Sequence, residues 1–166
     1  MGNYNPIYKN IWTSEKFSKL PPSEKLIYLH LLTNKHTTTL GICMIKIPYI
    51  ACDCGLTNDE VKSALTSITK IGLIDYFENK NLIYIYKFFK YSKGTIKNPN
   101  TLLKTMFREF ELLNDKNVKD IFLVENANDL NELKKQIENK IEKSNEEKTK
   151  NEYRELLDKL NSLMVY

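Results

Sequence analysis

The sequence predicts a mainly α-helical protein that also contains a small antiparallel β-sheet. Apolar residues recur at helical spacing along most of the chain, and two short runs rich in Ile, Tyr and Phe stand on either side of residue 80. With 166 residues, 42% of them hydrophobic, the chain is long enough for one ordinary domain and a helical appendage. We expect the first domain to cover residues 1–100 and a helical C-terminal extension to cover residues 101–166.

The first domain should open with helical segments. Residues 7–20 carry apolar anchors and predict an extended entry followed by a short turn of helix. A longer helix should start at 21–24, because proline is tolerated in a first turn and an acidic residue there suits the helix dipole. A polar loop over 33–39 and a short strand within 40–45 follow. The expected buried stripe of the helix consists of Leu26, Leu29 and Leu32, widened by Ile27 and Leu31.

The next stretch predicts two helices separated by a tight turn. A short helix should begin at Pro48 and end at Gly55, which is the residue type that favours a left-handed cap. Thr57 and Glu60 have the spacing of a capping box, so a second helix should start there and end at Gly72. A short helix, a turn and an amphipathic helix make a helix-turn-helix. The buried face of the second helix is expected to consist of Val61, Ala64, Leu65, Ile68 and Ile71.

A β-hairpin should follow this motif directly. Residues 73–77 and 82–86 are rich in strand-forming side chains, and the four residues 78–81 between them have a tight-turn composition. A helix-turn-helix that leads into a hairpin has the order of a winged helix, with the strand in 40–45 as its third strand. The predicted fold is therefore a winged helix-turn-helix followed by C-terminal helices.

The remainder of the chain predicts a basic connector over 87–100 and then helices. One helix should span 101–113, whereas the apolar residues 118–124 could belong to either kind of element. From Asn128 onward two apolar stripes flank the charged run 142–152, which favours a helical hairpin over one continuous coiled coil. Such polar helices need a partner surface: they either fold back within the chain or pair with a second copy, and we favour a homodimer. The stripes are Leu130, Leu133, Ile137 and Ile141, then Tyr153, Leu156, Leu157, Leu160 and Leu163.

The net charge of +4 is unevenly distributed. Residues 1–100 hold thirteen lysines against seven acids, and residues 101–166 hold twelve basic residues against fourteen acids. Residues 79–108 contain seven basic residues, interleaved aromatic rings and no acid. Such a run can track phosphates and stack on unpaired bases, although the rings before Phe89 are better explained as core. The basic surplus favours a polyanionic partner such as DNA.

Candidate DNA-binding residues fall into three groups. The exposed face of the second motif helix carries short polar groups and lysines that fit a major groove about 12 Å wide; the alternative is an ordinary solvated face. The hairpin tip could reach a minor groove or the backbone, or it could be a plain turn. The basic run after the hairpin should contact phosphates. Asp59 would be repelled by phosphate, and we assign it to capping. The candidates are Asn58, Lys62, Ser63, Thr66, Ser67 and Lys70; Asn79, Lys80 and Asn81; and Lys90, Lys93 and Lys97.

Catalysis has little support in the sequence. Motifs of nucleotide-binding loops, zinc proteases and serine hydrolases do not occur, and His30 is expected to pack within a helix. Cys52 and Cys54 lack a second ligand pair at zinc spacing and are expected to be small residues on a short helix. We expect that the protein is not an enzyme and binds neither a cofactor nor a metal. Without an apolar run of membrane-spanning length or a secretory signal, a cytoplasmic location is expected.

Several of these residues together resemble a known family. Trp12, the run 22–26, Tyr28-Leu29-His30-Leu31-Leu32-Thr33-Asn34, His36-Thr37, Gly41-Ile42 and the capped helix at 55–61 are similar to the N-terminal domain of phage replisome organisers, relatives of the DnaD primosome proteins. Residues 87–91 and Asn98-Pro99 fit the same pattern, so the similarity covers about residues 7–113. The resemblance implies a winged helix that binds DNA or oligomerises while a helicase-loading complex assembles in a bacterial host. It does not extend to the second helical domain that usually follows in the family.

Three functions remain open from the sequence. The first is a phage-type DNA-binding protein of replication initiation or primosome assembly. The second is a transcriptional regulator that uses the same winged helix and dimerises through the C-terminal helices. The third is an oligomerisation or protein-interaction module that does not bind DNA. Winged helices serve all three purposes, so the fold cannot choose among them.

Overall fold

A computed structural model describes residues 7–95 and 98–165 of the chain. The chain divides into two compact units, Met1–Phe88 and Phe89–Tyr166. This division lies earlier than the boundary after residue 100 that we expected. The mainly helical architecture with a small antiparallel sheet is confirmed.

The first unit contains four α-helices and a three-stranded sheet within its described residues. A 3₁₀ turn at Lys9–Thr13 stands where an extended entry was expected, and the short helix α1 (Glu15–Ser18) is the turn of helix that the sequence predicted. The later elements appear in the expected order, with the helix-turn-helix between the first two strands. Their bounds are α1 (Glu15–Ser18), α2 (Pro22–Thr33), β1 (Ile42–Met44), α3 (Ile47–Cys54), α4 (Asn58–Lys70), β2 (Ile74–Phe77) and β3 (Leu82–Ile85).

The three strands form a sheet in the order β1-β3-β2, with both neighbouring pairs antiparallel. Met44 of β1 lies opposite Leu82, and Phe77 of β2 lies opposite the same residue, so the distal ends of all three strands meet at the hairpin tip. The Ile45 amide donates to the Asn81 carbonyl at 3.0 Å and ties the exit of β1 to that tip. The hairpin therefore forms the wing that the sequence predicted, with β1 as its third strand.

One face of the sheet packs against the helices and forms the core of this unit. The predicted face of α4 is confirmed, because Val61, Leu65 and Ile68 are fully buried. The buried face of α2 differs from the prediction: Leu26 is exposed, and Tyr28 takes a place in the core. The i, i+3 spacing of the leucines suggested the stripe, but contacts with α1, including Tyr28 against Phe17, rotate the helix toward them. The fully buried members of the core include Ile27, Leu31, Cys43, Ile50, Val61, Leu65, Ile68, Ile74, Ile83 and Ile85.

The turn between α3 and α4 follows the local sequence rules. Gly55 has φ +66° and ψ +34°, the left-handed conformation that glycine adopts without a Cβ penalty. Nothing lies within 4 Å of the position that a Cβ would take there. Gly41, at φ +79°, is more constrained, because a Cβ would lie 2.6 Å from Phe88 Cβ and 2.9 Å from the Ile85 carbonyl oxygen. Close approach thus requires glycine at position 41.

The second unit begins with a helix where we expected a connector. Residues 88–95 form α5, so the prediction of a basic connector over 87–100 is wrong. Buried Phe89, which packs edge-to-face on Phe122 at 5.2 Å, anchors this segment in the second unit. The apolar residues 118–124 lie in a helix, α7. The helices are α5 (Phe88–Thr95), α6 (Pro99–Leu112), α7 (Lys116–Glu125), α8 (Ala127–Lys143) and α9 (Glu147–Met164).

The apolar stripes of the second unit are covered within the chain. Five large apolar residues of α6 are buried, and α8 and α9 form the predicted helical hairpin, with Lys140 Nζ 5.9 Å from the Tyr153 ring centroid near its turn. Ile141, Tyr153, Leu157 and Leu163 remain partly exposed at the edges of the stripes. The buried residues are Leu102, Leu103, Met106, Phe107 and Phe110 on α6, and Leu130, Leu133, Ile137, Leu156 and Leu160 on the hairpin.

Candidate nucleic-acid interface

The outer face of α4 is the centre of the candidate interface. Burial of Val61, Leu65 and Ile68 sets the rotation of the helix, and at 3.6 residues per turn the opposite side carries the polar candidates. Asn58, Lys62, Ser63, Thr66 and Lys70 are exposed, and Ser67 is half-buried. The structure therefore brings the six candidates of α4 onto one solvent-facing surface.

The start of this helix is held by a reciprocal cap. The Thr57 backbone N–H donates to Glu60 Oε2 at 2.7 Å, and the Glu60 backbone N–H donates to Thr57 Oγ1 at 3.3 Å. The backbone hydrogen bond from Thr57 is the main reason why the pKa of Glu60 lies below its usual value. Asp59 is exposed in the first turn, whereas the cap itself is made by Thr57 and Glu60. The assignment of Asp59 to capping is thus corrected to a position near the positive end of the helix dipole.

Two threonine hydroxyl groups of α4 donate hydrogen bonds to backbone carbonyls of the same helix. Thr66 Oγ1 donates to the Lys62 carbonyl at 2.9 Å, and Thr69 Oγ1 donates to the Leu65 carbonyl at 2.8 Å. A hydroxyl that has given its proton to the backbone can still accept a hydrogen bond. In this conformation Thr66 therefore presents an acceptor, which suits a base amino group better than a phosphate oxygen.

The lysines of α4 differ in their surroundings. Lys62 Nζ lies 3.3 Å from Glu78 Oε1 at the wing tip, and their side chains are 52% and 61% exposed. Lys70 is exposed in the last turn of the helix. Lys62 thus carries a partially neutralised charge, and Lys70 is the more accessible cation for a phosphate.

The wing tip presents the three predicted residues to solvent. Asn79 and Lys80 lie in a 3₁₀ turn, and Asn81 ends it at φ +49°, a left-handed conformation that asparagine tolerates. Lys80 Nζ lies over the face of the Phe77 ring, 5.7 Å from its centroid, where an ammonium group is attracted by the ring electrons. Burial, followed by the charge of Glu78, raises the pKa of Tyr76 in β2. The tip therefore combines one solvent-facing cation with a carboxylate at its base.

The lysines of α5 belong to the second unit and differ from one another in their surroundings. Lys93 is only 17% exposed and pairs with Asp129 at 2.6 Å and with Glu132. Burial alone would lower the pKa of Lys93, but the two acids together outweigh it and raise the pKa. Lys93 is therefore a structural residue of α5 and α8, and it is left out of the proposed interface. Lys90 is exposed, and Lys97 lies outside the described residues.

Most rings of the basic run do not form a stacking surface. Of the rings before Phe89, Tyr84 and Phe88 are buried, as the core interpretation predicted, and half-buried Tyr86 donates from its hydroxyl to Asp75 at 2.6 Å. Phe89 itself is also buried. Tyr91 is partly exposed. An exposed ring that the sequence analysis missed is Tyr49, which is 64% exposed on α3. The spacing of buried Ile47, Ile50 and Ala51 would have placed Tyr49 on the outer side of that helix.

The titratable residues outside this surface have structural contacts. His30 Nε2 lies 2.9 Å from Asp53 Oδ2 and 3.0 Å from Asn34 Nδ2, and it packs between α2 and α3 as expected. Cys52 is exposed and Cys54 half-buried on α3, and Cys43 is buried on β1, where burial raises the pKa of its thiol. His30 therefore links α2 to α3 through Asp53, and Cys43 is a member of the core.

Comparison of the chain with models of protein families, with curated proteins and with solved structures finds no match. The resemblance to phage replisome organisers accordingly stays a prediction from the sequence. None of the helices in 7–95 and 98–165 combines the length and the apolar character needed to span a membrane.

Proposed function

We propose that this chain binds duplex DNA through α4 and the wing and acts without catalysis, in phage-type replication initiation or primosome assembly. The observation that carries the proposal is the exposed polar face of α4, which lies opposite a fully buried face within a helix-turn-helix that continues into a hairpin. Short side chains at Ser63 and Thr66 allow such a helix to approach base edges in a major groove. Lys70 and Lys80 would contact the phosphates on either side.

The role in replication, as distinct from DNA binding, rests on the sequence resemblance. The motif between Tyr28 and Thr37 that carries much of this resemblance lies in α2 and the loop after it. In the structure Thr37 Oγ1 donates to the Leu31 carbonyl at 2.6 Å, so the loop is fastened to the helix. The expected site of action, the cytoplasm of a bacterial host, belongs to the same proposal.

A second candidate, a protein-interaction module, is favoured by the charges around α4. Asp59 is exposed on the outer face of the helix, and Glu78 pairs with Lys62 beside it. Trp12, Met44 and Tyr49 expose large side chains that could contact another protein. A transcriptional regulator would use the same α4 surface as the leading proposal and would in addition dimerise through the C-terminal helices.

The homodimer that we expected would need a different contact surface from the one that we predicted. The apolar stripes of α8 and α9 were its motive, and their central residues are buried within the second unit. A second copy would therefore have to contact the half-buried edges of the stripes or other side chains, of which Leu112, Val124 and Val165 are exposed. A monomer that binds one half-site is the simpler proposal for the described residues.

Fluorescence anisotropy with labelled duplex and single-stranded DNA, measured beside the protein's size by light scattering, tests the leading proposal. Duplex binding that falls on substitution of Lys70→Gln and Lys80→Gln would support it. The matched control is Lys35→Gln, which removes an exposed lysine from the loop after α2. Absence of DNA binding together with self-association would instead support the interaction module.

A further inference from the structure

An ion pair joins α4 to the wing within the candidate interface. Lys62 is in the second turn of α4, on its outer face, and Glu78 is the first residue of the turn at the hairpin tip. Their 3.3 Å pair joins the two elements that the proposed function assigns to DNA. Both side chains are more than half exposed, and ion pairs of this kind contribute little to folding stability. The position of the pair therefore has more consequence for binding than for the fold.

We propose that Glu78 is an intramolecular substitute for a backbone phosphate. In the free protein its carboxylate pairs with the Lys62 ammonium, and on binding a DNA phosphate takes the place of the carboxylate. A carboxylate and a phosphodiester are both anionic oxygen acceptors, and an ammonium group binds either one as a point charge. This inference rests on the proposed function, and it names Lys62 as a phosphate contact that becomes available only by exchange.

The exchange has an energetic consequence for DNA of any sequence. Binding gives up the Lys62–Glu78 attraction, and the released carboxylate then lies close to a polyanion. Both effects weaken the complex, so Glu78 penalises binding to DNA of any sequence.

A double-mutant cycle measures the exchange directly. The proteins are the full chain, Lys62→Gln, Glu78→Gln and the double variant, each titrated into a labelled mixed-sequence duplex. The matched control is Glu15→Gln, because Glu15 on α1 makes an exposed 2.7 Å pair with Lys19, just after that helix, and its substitution changes the net charge equally. Circular dichroism melts of each variant verify that the fold is retained.

We expect Glu78→Gln to bind about two- to fivefold tighter than the unmodified chain, which is the range that an exposed ion pair supplies. Glu15→Gln should bind like the unmodified chain. Lys62→Gln should lose more affinity in the Glu78→Gln background than alone, because no pair is then broken on binding. In the Glu78→Gln background, Lys62→Gln should also reduce the slope of log K against log salt by about 0.9.

Two results would overturn the exchange while leaving DNA binding intact. One is a Glu78→Gln protein that binds no tighter than Glu15→Gln. The other is an equal loss on Lys62→Gln in both backgrounds, which would mean that Lys62 and Glu78 act independently. If the unmodified chain does not bind duplex DNA at all, the proposed function fails, and the exchange fails with it.

Discussion

Thr57 and Glu60 cap helix α4 through reciprocal hydrogen bonds, in which each residue accepts the other's backbone N–H. The two bonds satisfy donors that a helix start otherwise leaves without partners. Because α4 carries the proposed recognition surface, this local arrangement determines where that surface begins.

The cap should give stability a specific pH dependence. The pKa of Glu60 is lowered in the folded chain, so its contribution is complete above the unfolded pKa and is lost as the pH falls through the folded value. Glu60→Gln should therefore be less stable than the unmodified chain at pH 7, and the difference should shrink as the pH falls through the folded pKa of Glu60. Thr57→Ala should cost about 1 kcal/mol at neutral pH. Urea unfolding at several pH values measures both, and a pH-independent deficit of Glu60→Gln would contradict the cap.

Substitutions on the two faces of α4 should separate stability from binding. Leu65 is fully buried, so Leu65→Ala should lower the free energy of unfolding by roughly 2–5 kcal/mol as a cavity mutation. Thr66 is exposed on the opposite face, and Thr66→Ala should be nearly neutral for stability while it changes duplex affinity. Denaturant titration and anisotropy of the same two proteins provide the comparison. A large loss of stability in Thr66→Ala would show that this side of α4 is packed against other residues and is not open to a partner.

Gly41 and Gly55 form a matched pair of positive-φ positions. Gly55→Ala should cost about 1–2 kcal/mol, the price of a left-handed alanine, since open space surrounds its Cβ position. Gly41→Ala should cost roughly 3 kcal/mol or more, because the added carbon also overlaps Phe88 and the Ile85 carbonyl. Thermal unfolding of the two variants tests the difference. Equal costs would mean that the β3–α5 junction moves aside.

Lys93 and Lys70 should respond oppositely to substitution. Lys93→Met leaves Asp129 without its close partner and should lower stability by about 1–3 kcal/mol, with little change in DNA affinity. Lys70→Gln should leave stability unchanged and reduce the slope of log K against log salt by about 0.9. For the unmodified chain, with Lys62, Lys70 and Lys80 as phosphate contacts, the same slope should be about −2 to −3 per protomer. A loss of affinity without loss of stability in Lys93→Met would restore Lys93 to the interface.

The buried stripes of the second unit predict a stability that does not depend on protein concentration. Leu160 is fully buried, and Leu160→Ala should cost about 2–5 kcal/mol. If the stripes were covered by a second copy, the melting temperature would instead rise with concentration. Melts over a hundredfold concentration range, run beside light scattering, distinguish the two arrangements.

The sequence by itself determined the elements whose rules are local. The capping box at Thr57, the left-handed Gly55 and the apolar period of α4 involve residues within a few positions of one another, so the helix-turn-helix could be predicted from them. The alternating residues on either side of 78–81 likewise predicted the hairpin. These features depend on backbone geometry that neighbouring residues impose.

Only the tertiary structure decided which side chains remain available for a partner. Lys93 meets Asp129, and Lys62 meets Glu78, through folding that brings distant parts of the chain together. The rotation of α2 that exposes Leu26 and buries Tyr28 depends on packing against another helix, as does the helix α5 that replaces the expected connector. Burial and ion pairing depend on what lies opposite a residue in space, and residue spacing along the chain carries no record of that neighbour.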